Sequence, residues 1–150
     1  MRTTLLGTAA IAIVIASNLP ATAHHSTTAF YDTTKSITLE GKIVRVEWIN
    51  PHILLFLESK NEEGELETWI LKGSSLNGAM RRPELKNRLQ PGIMISARAH
   101  PARNALTLNE AQIVRQTQAD DVKKSPRIVE AGEVRLPDGE IQSFGPGPKF

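Results

Sequence analysis

Apolar and polar residues alternate along two stretches of the chain, 37–48 and 93–99, and this two-residue period is typical of strands with one buried face. The apolar positions of the first stretch change parity shortly after Gly41: first Ile37, Leu39 and Ile43, then Val44, Val46 and Trp48. An extra residue inserted into one strand produces such a change. The pattern therefore predicts one long strand that contains a β-bulge.

Four more strands are predicted after the one at 37–48. Five consecutive apolar residues at 53–57 indicate a strand that is buried on both faces, and a turn at 61–64 joins it to a third strand at 65–71. The alternating stretch extends over 93–100 and gives a fourth strand. A fifth is predicted at 105–115. The predicted strands thus form a group of three followed by a group of two.

A short helical bridge is predicted between these two groups. Ser74 or Ser75 can cap a helix, and Pro83 can open a second helical turn because proline is favoured at the first helical position. The apolar residues of the bridge are Leu76, Ala79, Met80, Leu85 and Leu89. Three strands, a helix and two strands are the plan of the OB-fold, a five-stranded, partly open barrel.

We therefore predict an all-β fold with one short helix, a small OB-like five-stranded barrel over residues 35–116. The alternative is a plain β-sandwich or roll. The interior positions of the predicted strands should be buried, and they are Ile37, Leu39, Val44, Val46, Ile53, Leu55, Leu57, Ile93, Ile95 and Leu108.

Residues 1–23 have the features of a secretory signal peptide. Arg2 precedes an apolar run at 5–16, and small residues at 21 and 23 define a cleavage site after Ala23. The run is shorter than the roughly 20 residues of a spanning helix, which argues against the alternative of an uncleaved anchor. We expect export to the periplasm, no transmembrane segment after cleavage, and a polar N-terminal arm at 24–34.

Residues 117–150 are predicted to be a proline- and glycine-rich C-terminal tail. Four prolines and four glycines lie in 126–150, a composition that disfavours regular structure. Alternation on either side of the Pro137-Asp138-Gly139 turn suggests one hairpin at 133–144. We expect the tail to be loosely attached to the barrel.

The amino-acid composition excludes several kinds of functional site but identifies none. The 150 residues include no cysteine, which excludes disulfide scaffolds, thiolate metal sites and cysteine nucleophiles. The net charge is +2, but seven acids lie between Glu40 and Glu67 and seven bases between Lys72 and Arg103. Such a division is typical of two solvated faces; an acidic partner or an anionic lipid surface is the alternative.

Several short motifs make the chain similar to a known family. They are His24-His25-Ser26, Thr38-Leu39-Glu40-Gly41, the string Trp48-Ile49-Asn50-Pro51-His52 and Leu136-Pro137-Asp138-Gly139. The chain resembles, on these residues, a bacterial family of small exported proteins of unknown function. Similar sequences commonly carry a glutamate two or three residues after the tryptophan of the third strand, where this chain has Leu71 and Lys72. The resemblance implies a fold and export but no activity.

The four histidines are the best candidates for chemistry. Cleavage after Ala23 would make His24 the amino terminus, so one residue would offer a free α-amine and an imidazole, the chelate called a histidine brace. Cu(II) favours nitrogen-rich tetragonal sites. A third nitrogen could come from His25, His52 or His100. The alternative is that these histidines are ordinary loop and surface residues that bind no metal.

Other classes of site have weaker support. No glycine-flanked serine elbow and no phosphate-binding glycine loop occur in the sequence, and the glutamates at 62–67 resemble a solvated hairpin tip. Phe56 and Trp69 lie in the strands on which OB barrels stack bases, but both sit in apolar runs, so we expect no nucleic-acid partner. We predict a binding or accessory module rather than an enzyme, with copper as its ligand. The alternative is a metal-free interaction subunit with an unknown protein partner. It would use its basic helical side, residues 72–103, and its proline- and glycine-rich tail to dock on a larger periplasmic or membrane complex.

Overall fold

The computed structural model describes residues 27–103 and 127–150, which form one β-rich domain. In chain order the elements are α1 (Thr27–Phe30), β1 (Ile37–Trp48), β2 (His52–Lys60), β3 (Leu66–Ser75), α2 (Leu76–Ala79), α3 (Pro83–Arg88), β4 (Met94–Pro101), β5 (Arg127–Arg135) and β6 (Ile141–Ser143). The mature start at His24, the strand at 105–115 and the core residue Leu108 were predicted for parts of the chain outside the described residues.

Five of the strands close into a barrel. Strand β1 pairs antiparallel with β2 on one side and with β4 on the other. Strand β2 in turn pairs antiparallel with β3, and β4 pairs antiparallel with β5. Closure comes from a parallel pairing of β3 with β5, which joins Trp69 to Arg127 and Lys72 to Glu130. This strand order, with the helices between β3 and β4, confirms the predicted all-β, OB-like five-stranded barrel.

Local sequence signals account for the shape of β1 and for the helical bridge. The register between β1 and β2 shifts between Ile43 and Arg45, so Val44 is the extra residue of the predicted bulge. Ser75 caps α2 by accepting a hydrogen bond from the Gly78 N–H at 3.2 Å, and Pro83 occupies the first turn of α3. These short helices bring Ala79, Leu85 and Leu89 onto the barrel core.

Most of the predicted core residues fill the barrel. Leu39, Ile53, Leu55, Leu57 and Ile95 are buried, and Ile37, Val46 and Ile93 pack against them while partly exposed. The prediction for Val44 is wrong, because its side chain is 40% exposed. The bulge turns it away from the interior, where Ile43 takes its place.

The predicted tail is wrong for its second half. Residues 127–135 form β5, a strand inserted between β3 and β4 whose Val129, Ala131 and Val134 are completely buried. The hairpin at 133–144 is present, since β5 pairs with β6 from Glu133↔Ser143 to Arg135↔Ile141. The prediction interpreted the glycines of this region as a sign of flexible chain. In the structure they allow close packing of one backbone segment against another.

The C-terminal residues lie tightly against the barrel. Phe144 is fully buried, its ring lies against Gly73, and its carbonyl accepts a hydrogen bond from the Ser74 N–H at 2.8 Å. A Cβ on Gly132 would lie 2.1 Å from the Pro148 carbonyl oxygen. The backbone of residues 145–148 therefore approaches β5 more closely than any side chain would allow.

Leu55→Ala should reduce the free energy of unfolding by about 2–5 kcal/mol, because it removes buried methyl groups and leaves a cavity. Leu55 is fully buried in the centre of β2. Chemical denaturation followed by circular dichroism measures the change. A loss below about 0.5 kcal/mol, which is typical of surface substitutions, would show that Leu55 does not contribute to the core.

Gly132→Ala should destabilise the fold by about 1–3 kcal/mol and release the C-terminal residues, because the new methyl group meets backbone atoms that cannot rotate away. Carboxypeptidase digestion and thermal unfolding measure the two effects. Gly78→Ala is the control, since its nearest neighbour is the Ser75 side chain at 3.3 Å. Equal digestion of both variants would contradict the close approach.

Candidate functional site at the arm and outer barrel face

A second apolar cluster lies outside the barrel, on the outer face of strands β2, β3 and β5. Its buried members are Tyr31, Leu54, Phe56, Ile70 and Ile128, and Phe30, Ile49 and Ala102 pack against them. The cluster forms because β2 is apolar on both faces, with Leu55 and Leu57 turned inward. Tyr31 is only 1% exposed, so the arm that carries it covers this face.

Backbone contacts attach the arm to the end of β4. Tyr31 forms an isolated antiparallel bridge with Ala102, and the Asp32 N–H donates to the Pro101 carbonyl at 2.8 Å. Arg103 returns two contacts, from its N–H to the Phe30 carbonyl at 2.9 Å and from Nε to the Thr28 carbonyl at 3.0 Å. The described part of the arm is therefore a structural component of the domain.

A buried ion pair lies under the arm. Lys72 Nζ is 3.0 Å from Glu130 Oε1, and the two side chains are 12% and 1% exposed. The Thr27 hydroxyl donates to the same Oε1 at 3.3 Å, and Lys72 Nζ lies 4.6 Å from the centre of the Tyr31 ring. The other carboxylate oxygen, Oε2, accepts no hydrogen bond from the described residues. One carboxylate thus joins the arm, β3 and β5.

The strand register sets His100 and His52 on this same outer face. His100 lies opposite Glu130, Glu130 opposite Lys72, and Lys72 opposite Leu54, which is two residues after His52. Counted through β3 and β5, the strands that carry His52 and His100 are three strand spacings apart, about 14 Å along the sheet. Glu130 and Lys72 occupy the positions between them, and both histidines are half-buried.

A contact of His100 selects the tautomer of its neutral ring. Nδ1 lies 2.6 Å from the Lys35 carbonyl oxygen, an acceptor, so Nδ1 carries the proton in the neutral ring. Nε2 then retains its lone pair. Metal-binding histidines commonly donate their second ring N–H to a backbone carbonyl in this way. His52 begins β2 opposite Ser75. His24 and His25 lie outside the described residues, and among those described no group of three or more His, Asp or Glu side chains could hold a metal ion.

Asp32 provides an electrostatic contact in the arm. A hydrogen bond from the Thr34 hydroxyl, at 2.6 Å, lowers the pKa of Asp32, helped by the Thr34 N–H, Lys35 and Arg103. Because this pKa is lower in the folded state, the contact stabilises the fold above the ordinary aspartate pKa. The contribution is lost as the pH falls through the lowered value.

An acidic groove of about 1040 Å³ is bounded by the first half of β1, the β2–β3 hairpin and Arg127. Trp69 lines it, with its indole N–H donating to Glu67 Oε1 at 2.6 Å, and Arg127 pairs with the same carboxylate at 3.0 Å. Leu66 and Met94 are exposed at its rim. The groove therefore combines apolar and carboxylate surface.

Sequence reasoning missed the residues at the centre of the outer face. By sequence, Lys72 is one of seven bases between 72 and 103, Glu130 belongs to the predicted tail, and Tyr31 belongs to the predicted polar arm. Their neighbourhood depends on the β3–β5 register, which no local pattern specifies. The available signal was Glu130 itself, an acid inside the apolar run 128–131, since such residues are rarely buried without a partner.

Residues 11–109 match a family of unknown function, DUF6152, and the chain belongs to that family. Comparison with curated proteins gives no match, and neither does comparison with solved structures. Within 27–103 and 127–150, none of the helices has the length and apolar character needed to cross a membrane.

Lys72→Met should lower the free energy of unfolding by about 3 kcal/mol, because it leaves the Glu130 carboxylate buried without its partner. The double variant Lys72→Met/Glu130→Gln should recover most of this loss, since neither residue then carries a charge. Urea unfolding at pH 7 of the two variants and the wild type measures the difference. Equal stability of the single and double variants would contradict this expectation, because the unpaired Glu130 carboxylate would then carry no cost.

Proposed function

We propose that this chain is an exported, periplasmic binding module that holds Cu(II) at the junction of its N-terminal arm and the outer barrel face. One observation carries the proposal: the first described residue of the arm, Thr27, is bonded to Glu130, directly opposite His100. Three residues of chain span at most about 11 Å. His24 therefore begins within reach of the face that carries His52 and His100.

The nitrogen chemistry of this junction suits copper. A mature chain beginning at His24 supplies an α-amine and an imidazole from one residue, which together chelate Cu(II). His100 offers Nε2 with its other ring nitrogen already bonded to a carbonyl, and His52 is the alternative third ligand. His25 is a further candidate next to the brace. The chain has no cysteine, so it offers no thiolate to metals that prefer soft ligands. Its nitrogen ligands match the preference of Cu(II).

Mature protein beginning at His24 should bind one Cu(II), and an added N-terminal methionine should weaken binding as strongly as loss of the His24 ring, because it separates the amine from the imidazole. His52→Ala and His100→Ala identify the third ligand as the variant that binds more weakly. Isothermal titration with electron paramagnetic resonance measures affinity and nitrogen ligation.

Binding should weaken as the pH falls, because protons compete for the imidazole near about 6.5 and for the amine near about 7.7–8.0. N-terminal sequencing of protein exported by its native host checks the start at His24. Equal copper affinity in the mature, methionine-extended and histidine variants would overturn the copper proposal.

A metal-free interaction subunit is the second candidate, and the groove beside Trp69 favours it. Leu66 and Met94 are exposed there among carboxylates, a surface suited to a basic partner segment of a larger complex. The basic helical side offers less free charge, since Arg88 already pairs with Asp138 and Glu140. Co-purification from the native host, compared between wild type and Leu66→Glu, tests this candidate; unchanged co-purification would remove it.

A further inference from the structure

We infer that the groove beside Trp69 binds an extended basic segment of a partner protein as an added strand along β1. The inference rests on the second candidate function, the metal-free interaction subunit, and is independent of copper. Strand β1 pairs with β4 over Ile37–Lys42, whereas its pairing with β2 begins only at Lys42. Among the described residues, 37–41 therefore have a paired strand on one side only, and the groove lies on the other side.

The hydrogen bonds around β1 show which way its backbone faces. The Ile43 N–H donates to the Ile93 carbonyl at 2.9 Å, on the β4 side. Backbone groups of successive residues point to opposite sides of a strand, so those of Thr38 and Glu40 face the groove. The Glu40 carbonyl accepts there from the Ser59 hydroxyl at 2.7 Å. The Thr38 N–H and carbonyl have no partner on this side within the described parts of the chain, so they are available to an added strand.

The two faces of β1 define the side chains that an added strand needs. Its side chains would alternate between the faces as those of β1 do. The outer ones would lie beside Glu40, which is exposed, and the inner ones beside Leu39 and Trp69, which belong to the barrel core or pack against it. In strand addition the main chain supplies affinity and alternate side chains supply specificity. The geometry thus selects a segment in which polar and apolar residues alternate.

The charge of the groove requires the polar residues of this segment to be basic. Five acids and three bases line the groove, and two ion pairs within it each join one acid to one base. The other three acids, Glu40, Glu62 and Glu63, form no ion pair with the described residues and outnumber the remaining base, Lys60. Complementary charge of this kind selects a partner and speeds its association.

A short synthetic peptide of alternating lysine and valine is the probe. We expect it to bind the wild-type protein, to bind more weakly as salt is added, and to slow hydrogen exchange of the Thr38 amide. The same peptide N-methylated at every residue keeps its charges and side chains but has no backbone donors, so it should bind more weakly. Isothermal titration and NMR-detected exchange measure these effects.

Thr38→Pro removes the N–H that faces the groove and should weaken peptide binding about tenfold, the usual value of one or two backbone hydrogen bonds. The melting temperature should change little, because this N–H takes no part in the pairing with β4. Thr38→Val keeps the N–H and is the matched control, which should bind as the wild type does.

Glu40→Gln tests the charge and should weaken binding about 2- to 5-fold, as for other exposed ion pairs. Glu65→Gln is its control, since Glu65 is exposed on the β2–β3 hairpin and does not line the groove.

Equal affinity of the plain and methylated peptides, or of Thr38→Pro and Thr38→Val, would overturn strand addition. A persisting effect of Glu40→Gln would then leave the interaction subunit standing as a candidate. Failure of the plain peptide to bind the wild type would also overturn the inference. The candidate function itself is judged separately, by co-purification with Leu66→Glu.

Discussion

The parallel pairing of β3 with β5 is the constraint on which the rest of the structure depends. It joins residues 69–72 to residues 127–130 and converts a curved sheet into a closed barrel. The same four-residue contact sets the Lys72 ammonium against the Glu130 carboxylate on the outer wall. A barrel has no free edges, so the outward side chains of adjoining strands acquire fixed neighbours. The anchorage of the arm is a direct product of closure.

The local parts of this fold are legible in the sequence because each depends on neighbouring residues. Parity of apolar positions indicates the bulge at Val44, and serine and proline mark the starts of the helices. Strand β5 could not be predicted, because it does not depend on neighbouring residues. Its pairing partners are distant in the chain, and Gly132, which indicates a weak strand by propensity, is required by the backbone at residues 147–148.

The candidate site divides in the same way. Histidines can be identified by residue type, so His52 and His100 were found, and the structure shows that one outer face carries both. The residues between them could not be found from type alone, because Lys72 and Glu130 acquire their meaning only through the register of β3 and β5. Burial of this pair costs desolvation energy that packed apolar residues would not. The pair nevertheless connects three parts of the domain, because Glu130 on β5 contacts both Lys72 on β3 and the Thr27 hydroxyl of the arm.

Strand β2 is buried on both faces, and this has a consequence for the state of the barrel before the arm docks. A strand that is apolar on both faces needs cover on both, and the outer cover is supplied by Tyr31 and its neighbours rather than by a second sheet. Until those residues dock, the outer face exposes a contiguous apolar surface, made of Leu54, Phe56, Ile70 and Ile128. Surfaces of this kind promote self-association. The arm therefore shields an apolar outer surface of the barrel from water, although its residues contribute nothing to the barrel interior.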